Sequence, residues 1–417
     1  MSHRFARIRR FHFNLPQRIA AGMLLLFLAQ GFWLISRQSL TDRDYQYARC
    51  GRELWERNPQ LAGAFTSCGE MRDGILAYRL AGLPLTLNLL AEREMDHFRK
   101  PEDRVVQTGV PTDRSSSVGW ETDGELSTWE LRHQLPHILL LLRLPFLGAG
   151  CVLGAGLWWV TRRLYGNLGG YTALGLYCFS PAVLRACVQP DAEVLAALGV
   201  YGGVYTCIGV AHAMQGPRRK WRPRIVLLTA AFGLAAASHS AALLVMALLG
   251  MVAMLWVAEG RRRLVLPVVL IAAIGAEVLV FACYGFSLRA FSDYFYLPAC
   301  LSGFSLQPGW RFFPTLSNVG TTVAAGAALV LYCSERRSRY FGNSTPLFCA
   351  LVLILLSLTS ASCAAPWLWA LPFLLTFVGG VFADAYEGPR RQLAMGAGAA
   401  IVLLQAVFCV LSLPGLL

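Results

Sequence analysis

Residues 143–212 read RLPFLGAGCVLGAGLWWVTRRLYGNLGGYTALGLYCFSPAVLRACVQPDAEVLAALGVYGGVYTCIGVAH. Three apolar runs lie in or lead into this stretch, at 138–160, 168–188 and 192–213. Between them stand only Arg162-Arg163 with their neighbours and then Gln189-Pro190-Asp191. A run near 20 residues is long enough to cross a hydrocarbon core of ~30 Å as a helix. The stretch therefore reads as a chain that crosses a membrane repeatedly with very short turns.

The same pattern continues outward in both directions. Further apolar runs lie at 19–35, 225–239, 241–258, 264–284, 315–333, 346–363, 366–383 and 393–413. Over all 417 residues, 56% are hydrophobic and 15% charged, against roughly 25% charge in soluble chains. Mean hydropathy is +0.49. Water-soluble globular folds, disordered chains and collagen-like fibres are excluded. The fold class is an all-α polytopic membrane protein of about eleven transmembrane helices, with a large first exoplasmic loop carrying interfacial helices. Three regions follow: 1–36, the cytoplasmic N-terminus and first helix; 37–136, the exoplasmic loop; and 137–417, a bundle of about ten helices.

The net charge of +13 does not point to nucleic acid. The basic residues, nearly all arginine, stand in short clusters between apolar runs, which is the positive-inside topology signal. Arg4, Arg7, Arg9, Arg10 and Arg18 precede the first run. That run lacks an A-x-A cleavage site, so it reads as an uncleaved helix rather than a signal peptide. With a cytoplasmic start, eleven spans put Arg162-Arg163, GPRRKWRPR (216–224), Arg261-Arg262-Arg263, SERRSR (334–339) and GPRRQ (388–392) on one side. The long loop 37–136, the hops at Gln189-Pro190-Asp191 and Ser238-His239-Ser240, and the loop 285–314 fall on the other.

Loop 37–136 holds 16 of the 24 acidic residues. Most belong to a solvated surface. The segment TDRDYQYARCGRELWERNP (41–59) begins within a helical turn or two of the first membrane exit. Asp42 and Asp44 thus stand at the water–lipid boundary, where a partly desolvated carboxylate suits a general base acting on a lipid-carried substrate. The segment RDGILAYRLAGLPLTLNLLAEREMDHFR (72–99) is apolar in its middle but interrupted by Arg79, Gly82 and Pro84. Two short interfacial helices are expected there. Cys50 and Cys68 are the loop's only cysteines, and a bridge between them would be worth roughly 3 kcal/mol. Metal-ligand spacing, a Walker loop, G-x-G-x-x-G before a helix, G-x-S-x-G and H-E-x-x-H are all absent. No metal and no cofactor is indicated.

Arg143 lies early in the second span. A cation at that depth snorkels or pairs, and its partner is a lipid phosphate, a loop carboxylate or Glu277 of the seventh span. Asp191 and His239 sit in exoplasmic hops, Asp191 where a helix N-cap is expected.

The order of these features resembles the GT-C superfamily of polytopic glycosyltransferases that use lipid-linked sugar donors. The nearest likeness is to bacterial protein O-mannosyltransferases and aminoarabinose transferases. The residues that carry it are Arg143-Leu144-Pro145, Arg162-Arg163-Leu164-Tyr165-Gly166, Ser180-Pro181, Asp191 and PWLWALPFLL (366–375). In that family an acidic pair followed by a tyrosine opens the first exoplasmic loop and supplies the catalytic base. The matching segment here is Asp42-Arg43-Asp44 with Tyr45 and Tyr47. If Tyr47 is the family tyrosine, Asp44 holds the second acidic place and Arg43 the first. If Asp42 is the base, arginine splits the pair. A lysine usual near the fifth-to-sixth hop is replaced around His239.

The resemblance implies a glycosyltransferase of a bacterial inner membrane with its active site on the exoplasmic side. Asp44 or Asp42 would be the base, and Arg43, Arg143, Asp191, His239 and Tyr47 would bind substrate. The donor would be a polyprenyl-phosphate-linked sugar, the acceptor a glycan, lipid or protein. The other partners are membrane lipids, with no nucleic acid. The rival classes are a transporter or flippase for lipid or small solute, which more often shows paired repeats, and a non-catalytic scaffold, in which Arg143 and Asp191 are dispensable.

Overall fold

The computed structural model describes residues 14–56, 74–98, 128–216, 221–294, 318–359, 366–389 and 391–416. Among them the elements are helical throughout, with no strand. The first span is α1 (Leu15–Arg37), and the long loop contributes α2 (Asp42–Glu56) and α3 (Ile75–Phe98). The stretch that decides the fold forms α4 (Thr128–Cys178), α5 (Pro181–Cys187) and α6 (Ala192–Met214). Next come α7 (Arg222–Ser238), α8 (Ser240–Val257), α9 (Val265–Cys283) and the short α10 (Leu288–Tyr294). The last four are α11 (Val319–Ser334), α12 (Phe341–Thr359), α13 (Pro366–Tyr386) and α14 (Arg391–Ser412).

Seven helices are long and apolar enough to cross a membrane, and α11 and α12 are shorter apolar ones. The chain is a multi-pass membrane protein. The most buried of the long spans is α13 and the least buried is α14. Around α13 pack α4, α6, α11 and α12, with Trp369, Phe373 and Phe377 filling the centre. Leu403, Val407 and Leu411 of α14 point outward, as expected of a helix facing lipid. Polar groups inside the bundle find one another: the Tyr177 hydroxyl donates to the Gly150 carbonyl at 2.6 Å, and Tyr201 and Thr376 share a hydroxyl contact at 2.9 Å.

The basic clusters gather at one end of the bundle. Tyr165 bonds the Gly342 carbonyl, Trp256 meets Phe341 edge-on, Arg261 donates to Met214 and Arg337 pairs with Glu387. Arg162 and Arg163 lie over Trp158 and Trp159. The loop helices α2 and α3 lie at the other end, where Arg79 of α3 donates to the Cys283 carbonyl at the close of α9. The arginine clusters and the loop helices thus lie at opposite ends of the bundle.

Two expectations are corrected in detail. The run 168–188 is not one helix. Its first part continues α4 through a kink at Gly166 (φ 80°), a left-handed position that suits glycine. Its second part is α5, begun afresh at Ser180, whose hydroxyl caps Val183. The segment 72–99 forms one helix rather than two. Pro84 costs α3 a backbone hydrogen bond, but α3 is held against α2, where the backbones of Gly51 and Gly82 touch and a Cβ on either would collide with the other's chain. Tertiary packing overrides the local break. Gly82→Val is therefore expected to push α2 off the bundle, destabilising by about 1–3 kcal/mol. A melting temperature equal to that of the unsubstituted protein would show that the contact contributes nothing.

Candidate active site

The loop segment after α1 is organised by its own sequence. Thr41 precedes α2 and Asp44 is its third residue, a threonine-x-x-acid capping box. The Thr41 amide and hydroxyl both donate to Asp44 Oδ2, at 2.9 and 2.6 Å, and the Asp44 amide returns to Thr41 Oγ1 at 3.2 Å. Into this cap reaches Arg143 of α4. Its Nε donates to Asp44 Oδ1 at 2.9 Å and its Nη2 to Oδ2 at 2.5 Å, a two-pronged pair. The same guanidinium donates to Gln38 Oε1 at 2.9 Å and the Ser39 carbonyl at 3.1 Å. Both charged side chains are buried, 1% and 0% exposed. Burial alone would raise the Asp44 carboxyl pKa, but the bonds from Arg143 and Thr41 outweigh it and hold it below its ordinary value.

Of the three partners open to Arg143, the internal carboxylate Asp44 is the one the structure supplies. Glu277 lies on α9 with no bond to it. Asp44 spends its oxygens on a cap and an arginine, so as placed it braces α2 to α4. Asp42, at the first position of α2, is exposed.

One residue before Asp44, α2 presents a second and more accessible pair. Arg43 Nη1 lies 3.1 Å from Asp191 Oδ2, with the two side chains 49% and 20% exposed. Asp191 also caps α6, accepting from the Glu193 amide at 3.4 Å. Tyr47 stacks on Tyr78 of α3, centroids 4.2 Å apart and planes at 9°, and meets Phe146 edge-on. Burial drives the Tyr47 phenol far above its usual range, and the Asp191 charge adds to this. Gly74, at φ +81°, leads into α3 where Ala192, Ser238 and Tyr47 converge; a side chain there would be strained by the backbone and would press on the Ala192 methyl at 3.2 Å.

His239 is the single residue joining α7 to α8. Its Nδ1 accepts from the Ala241 amide at 3.2 Å, so it caps α8, and its ring packs edge-on against Trp369 of α13. Thus Arg43 and Tyr47 of α2, Asp191 before α6 and His239 between α7 and α8, from three separate segments, meet at the end of the bundle that holds α2 and α3. Cys50 is buried in α2 and disulfide-bonded. Cys68, its expected partner, lies outside the described residues.

Tyr78, Glu193 and Trp369 belong to this corner and were not legible in the sequence. Tyr78 sits in a segment whose helical phase was obscured by the Pro84 break. Trp369 lies inside PWLWALPFLL, where nothing distinguishes it from core tryptophans. Among the described residues no group of three metal-ligating side chains occurs.

No family model matches the chain, and no curated protein matches it in sequence. Solved structures do. The crystal structure of ArnT from Cupriavidus metallidurans bound to undecaprenyl phosphate aligns with a TM-score of 0.56 at 16% identity, over 92% of this chain and 62% of that one. The apo structure of the same protein aligns with a TM-score of 0.56 at 14% identity, over 95% and 77%. The chain thus spans about three fifths of the lipid-bound relative. At such identity the likeness concerns architecture, and on that ground the fold of this protein is GT-C-like.

Proposed function

We propose that the protein is a membrane glycosyltransferase that moves a sugar from a polyprenyl-phosphate-linked donor to an exoplasmic glycan, lipid or protein. One observation carries this reading. The partly exposed Arg43–Asp191 pair stands, backed by the Tyr47–Tyr78 wall, at the loop-helix end of a fold shared with a protein crystallised with undecaprenyl phosphate. The proposed setting is a bacterial inner membrane, with 37–136 as the exoplasmic loop above the bundle.

The chemistry assigned to these residues is a single displacement. The donor's tail stays in lipid while its phosphate draws Arg43 into charge-assisted hydrogen bonds. Arg43 then releases Asp191, whose carboxylate takes the proton of the acceptor hydroxyl or amine. The freed electron pair attacks the anomeric carbon. The bond from that carbon to the phosphate oxygen breaks, and its electrons leave on the phosphate held by Arg43. Tyr47 and Tyr78 shield one side from water, and His239 fixes the α7–α8 corner beneath. Asp42, exposed on the same helix, is the second candidate base. Asp44 could serve only after Arg143 lets go of it.

The test is mass analysis of envelope glycans and lipids from cells with and without the protein, paired with transfer by purified protein in vesicles supplied with undecaprenyl-phosphate sugars. A species heavier by one sugar residue only when the protein is present supports the reading. Identical profiles together with no transfer would refute it.

A further inference from the structure

At the end of the bundle away from α2 and α3, a cavity of about 940 Å³ is lined by Trp221, Glu259, Arg261, Arg262, Arg263 and Leu264, among others. Its position is set by two helices. α7 runs from Arg222 up to Ser238, and α9 from Val265 up to Cys283. At 1.5 Å per residue each carries the chain roughly 26–28 Å, close to one hydrocarbon thickness. The cavity lies at the lower ends of both, at the level of lipid headgroups.

Its chemistry is unbalanced. Three arginines face one glutamate, a surplus of two positive charges. Arg261 is fixed, donating through Nη1 to the Met214 and Gly216 carbonyls. Among the described residues the Arg262 and Arg263 guanidinium groups have no such anchor. Trp221 is 9% exposed, and its indole Nε1 is buried with no hydrogen-bond partner. A buried N–H left without an acceptor costs free energy, and Trp221 lines the cavity, so a ligand oxygen that reached Nε1 from there would satisfy it. Beside the cavity Leu264 and Leu266 are exposed at the start of α9, an apolar surface continuous with the lipid-facing side.

We propose that this cavity binds the phosphate-bearing headgroup of an anionic glycerophospholipid from the adjacent leaflet. Arg262 and Arg263 hold the phosphate oxygens, Trp221 Nε1 donates to one of them, and Glu259 accepts from a headgroup hydroxyl. The acyl chains run along Leu264 and Leu266. Arginine clusters at span ends also serve simply to set topology, but topology needs neither a cavity nor an unsatisfied indole in its wall. The proposal is independent of the glycosyltransferase reading, because it concerns the opposite face and needs no sugar donor.

The test uses the full chain in detergent, with native mass spectrometry and thermal melting as readouts. Phosphatidylglycerol, phosphatidylcholine and inorganic phosphate are the probes. The unsubstituted protein is expected to retain phosphatidylglycerol in preference to phosphatidylcholine. The double variant Arg262→Ala with Arg263→Ala should weaken retention about twenty-fivefold, at roughly fivefold per arginine. Trp221→Phe keeps the ring bulk and removes the donor, for a loss of about tenfold. Arg336→Ala with Arg391→Ala removes equal charge from other basic clusters and should leave retention unchanged. Retention undiminished in the Arg262/Arg263 double variant would overturn the proposal. So would an equal loss in the Arg336/Arg391 control, which would mean attraction by charge alone. If inorganic phosphate displaces the lipid and stabilises the protein as well as the lipid does, the site takes a soluble phosphate and the lipid assignment fails.

Discussion

Arg143→Ala is expected to destabilise the purified protein by about 3–5 kcal/mol in the absence of any donor. The substitution leaves Asp44 buried with its charge uncompensated and strips a donor from Gln38 and from the Ser39 carbonyl. Asp44→Asn should do comparable harm from the other side, stranding a guanidinium that is 1% exposed. Removing both charges is the informative case. Arg143→Met with Asp44→Asn keeps the volume and the acceptor for Thr41, and should recover most of the loss, since a buried pair replaced by uncharged groups is often nearly neutral. Melting curves decide the matter: Arg143→Ala melting like the unsubstituted protein would sink the brace. The pH dependence has a definite sign. The Asp44 pKa is lowered by folding, so its contribution is complete above the ordinary carboxylate value near 3.8 and is lost as the pH falls through the depressed folded value. Arg143→Ala should lack that acid-limb component.

The second large effect is on turnover. Asp191→Asn is expected to reduce transfer roughly 10²–10⁴-fold, the loss that follows removal of a general base. Its stability should change little, because asparagine caps a helix about as well as aspartate and the cap to Glu193 survives. That split between activity and melting separates a chemical role from a structural one. Arg43→Ala should raise the concentration of donor needed while leaving the protein folded. If Asp42→Asn abolishes transfer and Asp191→Asn does not, the base is Asp42. If Asp42→Asn and Asp191→Asn both transfer normally, neither carboxylate is the base.

What the sequence disclosed and what it hid follow from different physics. Apolar run length and arginine clustering are one-dimensional signals, and they located the spans and brought Asp191 and His239 to span ends. A hop at Ser238-His239-Ser240 was legible from the run lengths on either side, but that the junction narrows to His239 alone came only from the structure. Asp44 shows the opposite case. Composition and position suit it to catalysis, but whether it is a base or a brace depends on Arg143, 99 residues away. The continuity of α3 was hidden because Pro84 argues locally for a break, while the Gly51–Gly82 approach that overrides it is a contact between separate segments. The stacking of Tyr47 on Tyr78 depends on that same approach.

The Gln38 side chain takes part in bonds at both ends. Its oxygen accepts from Arg143, and its amide donates to the Leu416 carbonyl at 2.9 Å. During synthesis α1, α2 and α4 emerge early, so the Arg143–Asp44 pair can close while most of the bundle is still unmade. Gln38 must wait through 378 further residues for its second partner. The brace is thus completed late, by the turn that follows α14. Replacing Leu413–Leu416 by a flexible segment should leave insertion of the earlier spans intact yet loosen the residue that orients Arg143, so a site near the start of the bundle is tightened by a turn made long after it.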